Sequence, residues 1–180
     1  MTEVSAQSHL SLLSLYAGFW RRFVAYLIDG IILSIAFWVL YAIATGVFGF
    51  SLISTMVKLQ SGGISDDQAT TAIVGGLLGF YAFSLPVSIV LKWLYFTLME
   101  SSANQATLGK MALSLKVTDL EGRRIGFGKA TGRFFAAFFS VLTIFIGYLM
   151  AGLTPKKQAL HDMMAGTLVL RSPLIVQVVS

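Results

Sequence analysis

The sequence has little of what a soluble enzyme uses. It contains no cysteine, two histidines and three prolines in 180 residues, and only 12% of its residues are charged. The absence of cysteine excludes disulfide bonds and thiolate metal sites. We also find no nucleophile elbow, paired carboxylates or histidine cluster. We therefore expect no enzymatic activity, no catalytic residues, no bound metal and no cofactor.

Apolar residues, in contrast, are abundant. They make up 56% of the chain, the mean hydropathy is +0.80, and a soluble domain would carry about 25% charged residues. The net charge is +5, with the basic residues beside the apolar runs. Attraction to anionic lipid headgroups explains that placement better than a nucleic-acid partner does. The composition thus indicates an integral membrane protein whose first partner is the lipid bilayer.

Three apolar runs are long enough to cross a membrane: residues 23–44, 73–99 and 134–153. A bilayer core of about 30 Å needs about 20 helical residues. The first two runs carry a single charge each, Asp29 and Lys92. We therefore predict an all-α integral membrane protein with two transmembrane helices and a third hydrophobic segment.

The distribution of basic residues predicts the orientation of these helices. Arg21 and Arg22 precede the first run, and six lysines and arginines lie at residues 100–133. Residues 46–72, in contrast, contain a single basic residue, Lys58. The positive-inside rule then puts the N-terminus and the second connection in the cytoplasm. Helical apolar spacing over residues 47–56 predicts a helix on the membrane surface. Alternation around residues 113–125 predicts a short cytoplasmic β-hairpin.

The third run has two alternative paths. A straight crossing leaves Lys156, Lys157 and Arg171 outside, against the positive-inside rule. Two glycines between residues 143 and 152 would instead allow a broken helix that enters the membrane and returns to the same side. The segment is therefore spanning or re-entrant.

Three separated segments carry a family resemblance. They are FWRRFVAYLID at residues 19–29, QATLGK at 105–110 and HDMMAGT at 161–167. In this order the pattern resembles the RDD family of bacterial membrane proteins, whose arginine and two aspartates match Arg22, Asp29 and Asp162. The resemblance implies a single membrane domain over residues 16–171, between tails of residues 1–15 and 172–180. It also implies a multi-pass protein of the bacterial inner membrane, and transport of ions or small solutes has been proposed for the family.

Asp29 is the residue most suggestive of function. An ionised carboxylate within a span is costly and is expected to face protein or water. Arg22 lies on the same helical face but about 10.5 Å away along the axis. If the second helix runs antiparallel to the first, Lys92 lies at about the same depth in the membrane as Asp29. We thus consider a structural Asp29–Lys92 ion pair, a proton- or cation-binding site, and a lone protonated aspartate.

The remaining signature residues have simpler interpretations. Asp162 is expected to pair with Arg22 if the C-terminal segment returns to the cytoplasmic face. The stretch around Thr107 lacks phosphate-loop spacing, so Gly109 is expected to allow close packing and Lys110 to sit among headgroups. His161 either titrates near neutral pH or, as we expect, makes a capping or hydrogen-bonding contact. The motif that contains it ends with two further signature residues, Gly166 and Thr167.

These features predict a transporter, or a transporter component, for an ion or small solute. Asp29 is its candidate proton- or cation-binding group, with Lys92 as a candidate partner. Two or three helices enclose little polar volume, so we expect a homo-oligomer. The alternative is a membrane scaffold or lipid-binding module in which Arg22, Asp29 and Asp162 are structural.

Overall fold

The computed structural model describes residues 15–143 and 146–171. Its elements are the helices α1 (Phe19–Gln60), α2 (Asp66–Ser101) and α3 (Leu108–Ala112), the strand β1 (Leu115–Asp119), the helices α4 (Phe127–Leu142), α5 (Ile146–Leu153) and α6 (Leu160–Ala165), and the strand β2 (Thr167–Arg171). The C-terminal tail predicted at 172–180, and the N-terminal tail apart from Leu15, lie outside the described residues.

The helices α1 and α2 are the two predicted membrane spans. They contain 42 and 36 residues, and both are apolar and long enough to cross a bilayer. At 1.5 Å per residue they are about 63 and 54 Å long, well beyond a bilayer core of about 30 Å. The prediction of two transmembrane helices is confirmed. The prediction of a separate surface helix over residues 47–56 is wrong, because these residues are part of α1. The helix is followed by a turn at Gly62, whose φ is 69°.

The described residues divide into two compact units: one is residues 32–92, and the second is residues 15–31, 93–143 and 146–171. Residues 32–92 form a helical hairpin with aromatic contacts, in which the rings of Phe48 and Phe80 lie 6.0 Å apart. This unit contains Lys92, whose Nζ lies 5.7 Å from the centre of the Phe37 ring. The other predicted site residues all belong to the second unit.

A two-stranded antiparallel sheet lies at the centre of the second unit. Leu115 of β1 is opposite Arg171 of β2, and the backbone N–H of Ala17 donates to the carbonyl of Val169 at 2.9 Å. The predicted hairpin is present only as a single bridge between Thr118 and Arg124, since the main partner of β1 is β2. Pairing with β2 places the buried Val169 opposite the buried Val117, whereas the local bridge brings to Thr118 only the exposed Arg124. The buried core consists of Ala17, Ala25, Leu115, Val117, Ile125, Ala130 and Val169.

The third hydrophobic run lies within α4 and α5, and α6 follows it. The axes of α4 and α5 differ by 103°, and α6 packs along α4, where His161 contacts Ser140. Gly147 of α5 also lies against Ser140, because a Cβ there would come within 2.8 Å of that side chain. The described residues of this run therefore do not form one straight helix, and their bend is that of a broken span or of a re-entrant loop.

Candidate functional site

Five ionisable side chains form a buried group, called here the charge cluster. One comes from each helix of the second unit except α5: Arg22 from α1, Glu100 from α2, Lys110 from α3, Arg133 from α4 and Asp162 from α6. A cluster built in this way fixes the relative positions of all five helices. Removing one partner leaves an uncompensated buried charge, which is strongly destabilising.

The cluster is a chain of ion pairs with alternating charge. Asp162 pairs with Arg22 and, through Oδ1, with Nε and Nη2 of Arg133 at 2.9 and 2.8 Å. Arg133 also reaches Glu100, with 2.6 Å between Nη1 and Oε2. Glu100 in turn pairs with Lys110. The pairing of Arg22 with Asp162 expected from the sequence is present, whereas Lys110 is buried against Glu100 and not among headgroups.

Local structure positions Asp162 at the start of α6. Its Oδ2 accepts the backbone N–H of Ala159 at 3.0 Å, where α6 begins. Burial alone would raise the pKa of Asp162, but Arg22 and Arg133 outweigh that effect and hold the pKa well below its usual range. Gly166 ends α6 with a φ of 59°, and Thr167 then begins β2 with its side chain buried.

Asp29 is 1% exposed and accepts three hydrogen bonds. Its Oδ1 accepts from the Tyr95 hydroxyl and from the Gly109 N–H, each at 2.7 Å, and its Oδ2 accepts from the Thr107 hydroxyl at 2.6 Å. Thr107 is also the N-cap of α3. The structure thus gives Asp29 other partners than the expected Lys92, because α3 returns against α1 and supplies neutral donors.

Gly109 makes this arrangement sterically feasible. A Cβ at residue 109 would overlap the carbonyl oxygen of Ala25 and lie 2.9 Å from Cγ of Asp29. Only glycine lets the backbone of α3 come this close to α1. The close approach in turn delivers the N–H of residue 109 to the carboxylate.

His161 lies beside the cluster as a hydrogen-bonding residue. Its Nδ1 is 3.3 Å from the Ser140 hydroxyl, and its Nε2 is 3.5 Å from Oδ1 of Asp162. Burial lowers the pKa of His161 to about 4, even though Asp162 opposes the change. The side chain is therefore neutral at physiological pH, which favours the hydrogen-bonding interpretation over titration near neutral pH.

A cavity of about 330 Å³ lies between these elements. The cations Arg22, Lys110 and Arg133 line it together with Asp29 and His161, and its remaining wall is apolar or aromatic. Glu100 and Asp162 are not among its lining residues. Of the charge cluster, the wall therefore contains the three cations and neither of the two carboxylates.

Sequence reasoning missed Glu100, Arg133 and Tyr95 as members of the site. The signal for Arg133 was its place on a face of α4 that otherwise carries small residues, since residues 130, 133, 136 and 140 are the buried ones. A charged residue on such a face needs a buried partner. For Glu100 the signal was an acidic residue at the end of a predicted span; Tyr95 has no signal beyond its position near the interface.

These elements define a small membrane protein with two or three candidate spans, in which Arg22, Asp29 and Asp162 join α1 to the helices α3 and α6. The RDD family model matches residues 16–166, and the chain belongs to the RDD family. It is 35% identical over 151 residues to the uncharacterized protein YxaI of Bacillus subtilis, covering 84% of this chain and 94% of that one. It is 29% identical over 165 residues to the uncharacterized membrane protein YteJ of the same organism, with coverages of 88% and 83%. No solved structure matches the chain.

Proposed function

We propose that the protein transports an ion or small solute, alone or as a component of a transporter, with Asp29 as its proton-binding group. The supporting observation is that Asp29, in a helix long and apolar enough to span a membrane, is one of the residues that line a cavity. Ionisable residues inside a span are expensive and usually mark substrate or proton paths. The cavity is the candidate solute site.

The contacts of Asp29 favour a proton over a metal cation. The Oδ2 atom faces the Thr107 hydroxyl, which can reverse its hydrogen bond and accept from a protonated carboxyl. The Gly109 N–H faces Oδ1 and needs no change. A metal cation would need several further oxygen ligands. It would also be repelled by Lys110 and Arg133 in the same wall.

We also infer an orientation in the membrane and an assembly. The sheet ties the residues before α1 to the strands that follow α3 and α6, so we infer that all three lie on one face of the membrane. Their basic flanks make that face the cytoplasmic one, in a bacterial inner membrane. One cavity within one unit provides a binding site but not a continuous path for a solute across the membrane. We therefore infer a homo-oligomer.

A second candidate function is a non-transporting scaffold or lipid-binding module. It is favoured by the ion pairs of the charge cluster, each of which joins one helix to another. On this alternative Arg22, Asp29 and Asp162 serve folding alone, and Asp29→Asn lowers stability without a specific effect on transport.

Proton flux in proteoliposomes separates the two functions. Wild type and Asp29→Asn are reconstituted at equal density with a pH-sensitive dye inside, and sodium or potassium pulses are applied. Asparagine can keep an oxygen toward Gly109 and donate its amide to Thr107, so the variant mimics a permanently protonated Asp29 and should fold. Asp67→Asn is the matched control, since Asp67 is exposed in the first turn of α2.

Transport predicts that cation-driven proton flux occurs in wild type and Asp67→Asn and is lost in Asp29→Asn, with all three equally folded by circular dichroism and gel filtration. Equal flux in wild type and Asp29→Asn would contradict a proton-binding role for Asp29. Absence of flux in every sample, together with a poorly folded Asp29→Asn variant, would favour the scaffold.

A further inference from the structure

We propose that the cavity binds an anionic amphiphile, which is a phosphate or carboxylate headgroup attached to an apolar chain. The proposal rests on the proposed function in taking the cavity as a ligand site, and it names the class of ligand. It depends on three properties of the cavity: the charge of its wall, the hydrogen-bond donors in that wall, and the nature of its mouth.

The wall carries more positive than negative charge. The charge cluster contains three cations and two carboxylates, which leaves one cation in excess, and the two carboxylates do not line the cavity. The carboxylate that does line it belongs to Asp29, which already accepts three hydrogen bonds from neutral groups. Counted with Asp29, the three cations are balanced by three carboxylates, and the charge of Asp29 is the one that shares the cavity wall with them. When Asp29 carries the proton of the proposed function, one positive charge is in excess. An anion entering the cavity would then meet Arg22, Lys110 and Arg133 without an opposing carboxylate in the wall.

The cations that line the cavity also have more hydrogen-bond donors than their contacts in the structure use. A guanidinium has five N–H donors and an ammonium has three. Among the described residues, Arg22 uses three donors, toward Ala17, Lys157 and Asp162, and Lys110 uses one toward Glu100. Phosphate and carboxylate oxygens are the acceptors that such groups bind most strongly.

Part of the cavity wall, called here its rim, is apolar and partly exposed. Phe23, Tyr26 and Leu149 line it and are 42%, 58% and 49% exposed. These residues belong to α1 and α5, within the hydrophobic segments, so the exposed rim faces lipid rather than water. A cavity of about 330 Å³ is at the lower end of the range for ligand pockets, about 300–1,000 Å³. It would hold a headgroup and the start of one chain, with the rest of the chain leaving through the rim.

Native mass spectrometry of the detergent-solubilised protein can count bound ligand for three probes. Dodecyl phosphate carries both the anion and the chain, inorganic phosphate carries the anion alone, and dodecanol carries the chain alone. Leu149→Trp fills the apolar wall without touching an ion pair. Leu153→Trp is its matched control, because Leu153 is on the same helix, is 85% exposed and does not line the cavity.

We expect dodecyl phosphate to bind with one-to-one stoichiometry and at least about tenfold more tightly than either other probe, because both halves of the ligand are recognised. Leu149→Trp should weaken that binding by about tenfold or more, and Leu153→Trp should leave it unchanged. Equal binding of dodecanol, tighter binding of inorganic phosphate, or unchanged binding in Leu149→Trp would each overturn the proposal. Loss of binding with intact proton flux rejects this inference alone, whereas binding without flux rejects the transport function and keeps the site.

Discussion

Arg22 and Asp162 are 140 residues apart in the sequence and form a buried ion pair. Arg22 stands in the first turn of α1, and Asp162 lies in α6, immediately before the last strand. The pair therefore fastens the first helix of the domain to the segment that returns from the third hydrophobic run. Arg133 shares the same carboxylate, so a single aspartate holds two helices in place.

Asp162→Asn should destabilise the protein strongly. The substitution keeps the shape of the side chain but leaves Arg22 and Arg133 without their shared countercharge. Removing one partner of a buried pair typically costs about 3–5 kcal/mol. The free energy of unfolding, followed by tryptophan fluorescence in detergent, measures the loss. Asp66→Asn, at an exposed position in α2, should change it by less than about 0.5 kcal/mol, and similar losses in the two variants would contradict the structural role of the pair.

Gly109→Ala should separate α3 from α1. The added Cβ overlaps the Ala25 carbonyl, so the helix has to move and the hydrogen bond to Asp29 lengthens or breaks. Overpacking of this kind costs roughly 1–3 kcal/mol, before the lost hydrogen bond is included. Gly128→Ala is the control, since a Cβ there meets nothing within 4 Å. Thermal unfolding of both variants checks the prediction, which fails if residue 109 tolerates alanine as well as residue 128 does.

Stability should fall as the pH drops from 6.5 to about 4. Burial lowers the pKa of His161 from 6.5 to about 4, so within this window the unfolded chain binds a proton that the folded protein does not. The corresponding loss is roughly 3 kcal/mol at most. His161→Gln should flatten this part of the profile. Asp162, whose pKa is held low by Arg22 and Arg133, contributes stability that is lost only at still lower pH. The measurement is the unfolding midpoint of wild type and of His161→Gln at several pH values between 6.5 and 4. The same dependence on pH in both proteins would contradict a neutral, buried His161.

Single cysteines can report the side of the membrane, because the natural chain has none. Glu121→Cys, Lys156→Cys and Ser61→Cys place a thiol at three exposed positions. If the third hydrophobic run is re-entrant, positions 121 and 156 lie in the cytoplasm and position 61 lies outside. In intact cells, a membrane-impermeant maleimide should label position 61 only, and all three should react after lysis. Labelling of position 156 in intact cells would show that the run crosses.

The sequence predicted the two long helices and the pairing of Arg22 with Asp162. Helix length and hydropathy are local properties, and a charged residue that must be buried narrows the choice of partner. The depth argument for Asp29 and Lys92 did not predict the hydrogen-bond partners that Asp29 has in the structure. It compared their levels in the membrane but said nothing about the direction in which each side chain points. The neutral donors to Asp29 come from Tyr95 of α2 and from Thr107 and Gly109 at the start of α3, and helix length alone indicates none of these contacts.

The sheet and most of the charge cluster could not be predicted, since both depend on distant contacts. Alternating residues at 115–119 marked a strand, but nothing local indicated that its partner lies at 167–171. Lys110 was assigned to headgroups because basic residues near spans usually lie there. Its burial depends on Glu100 being held opposite by Arg133, which is a consequence of how α2 and α4 pack.

The most direct test of the central claim, that Asp29 binds a proton during transport, is the proton flux of Thr107→Val compared with Thr107→Ser. Serine keeps a hydroxyl that can reverse its hydrogen bond to Oδ2, whereas valine has the same shape as threonine and cannot. In proteoliposomes of equally folded protein, we predict flux near the wild-type level for Thr107→Ser and little or none for Thr107→Val. Flux through Thr107→Val equal to that of wild type would contradict the claim.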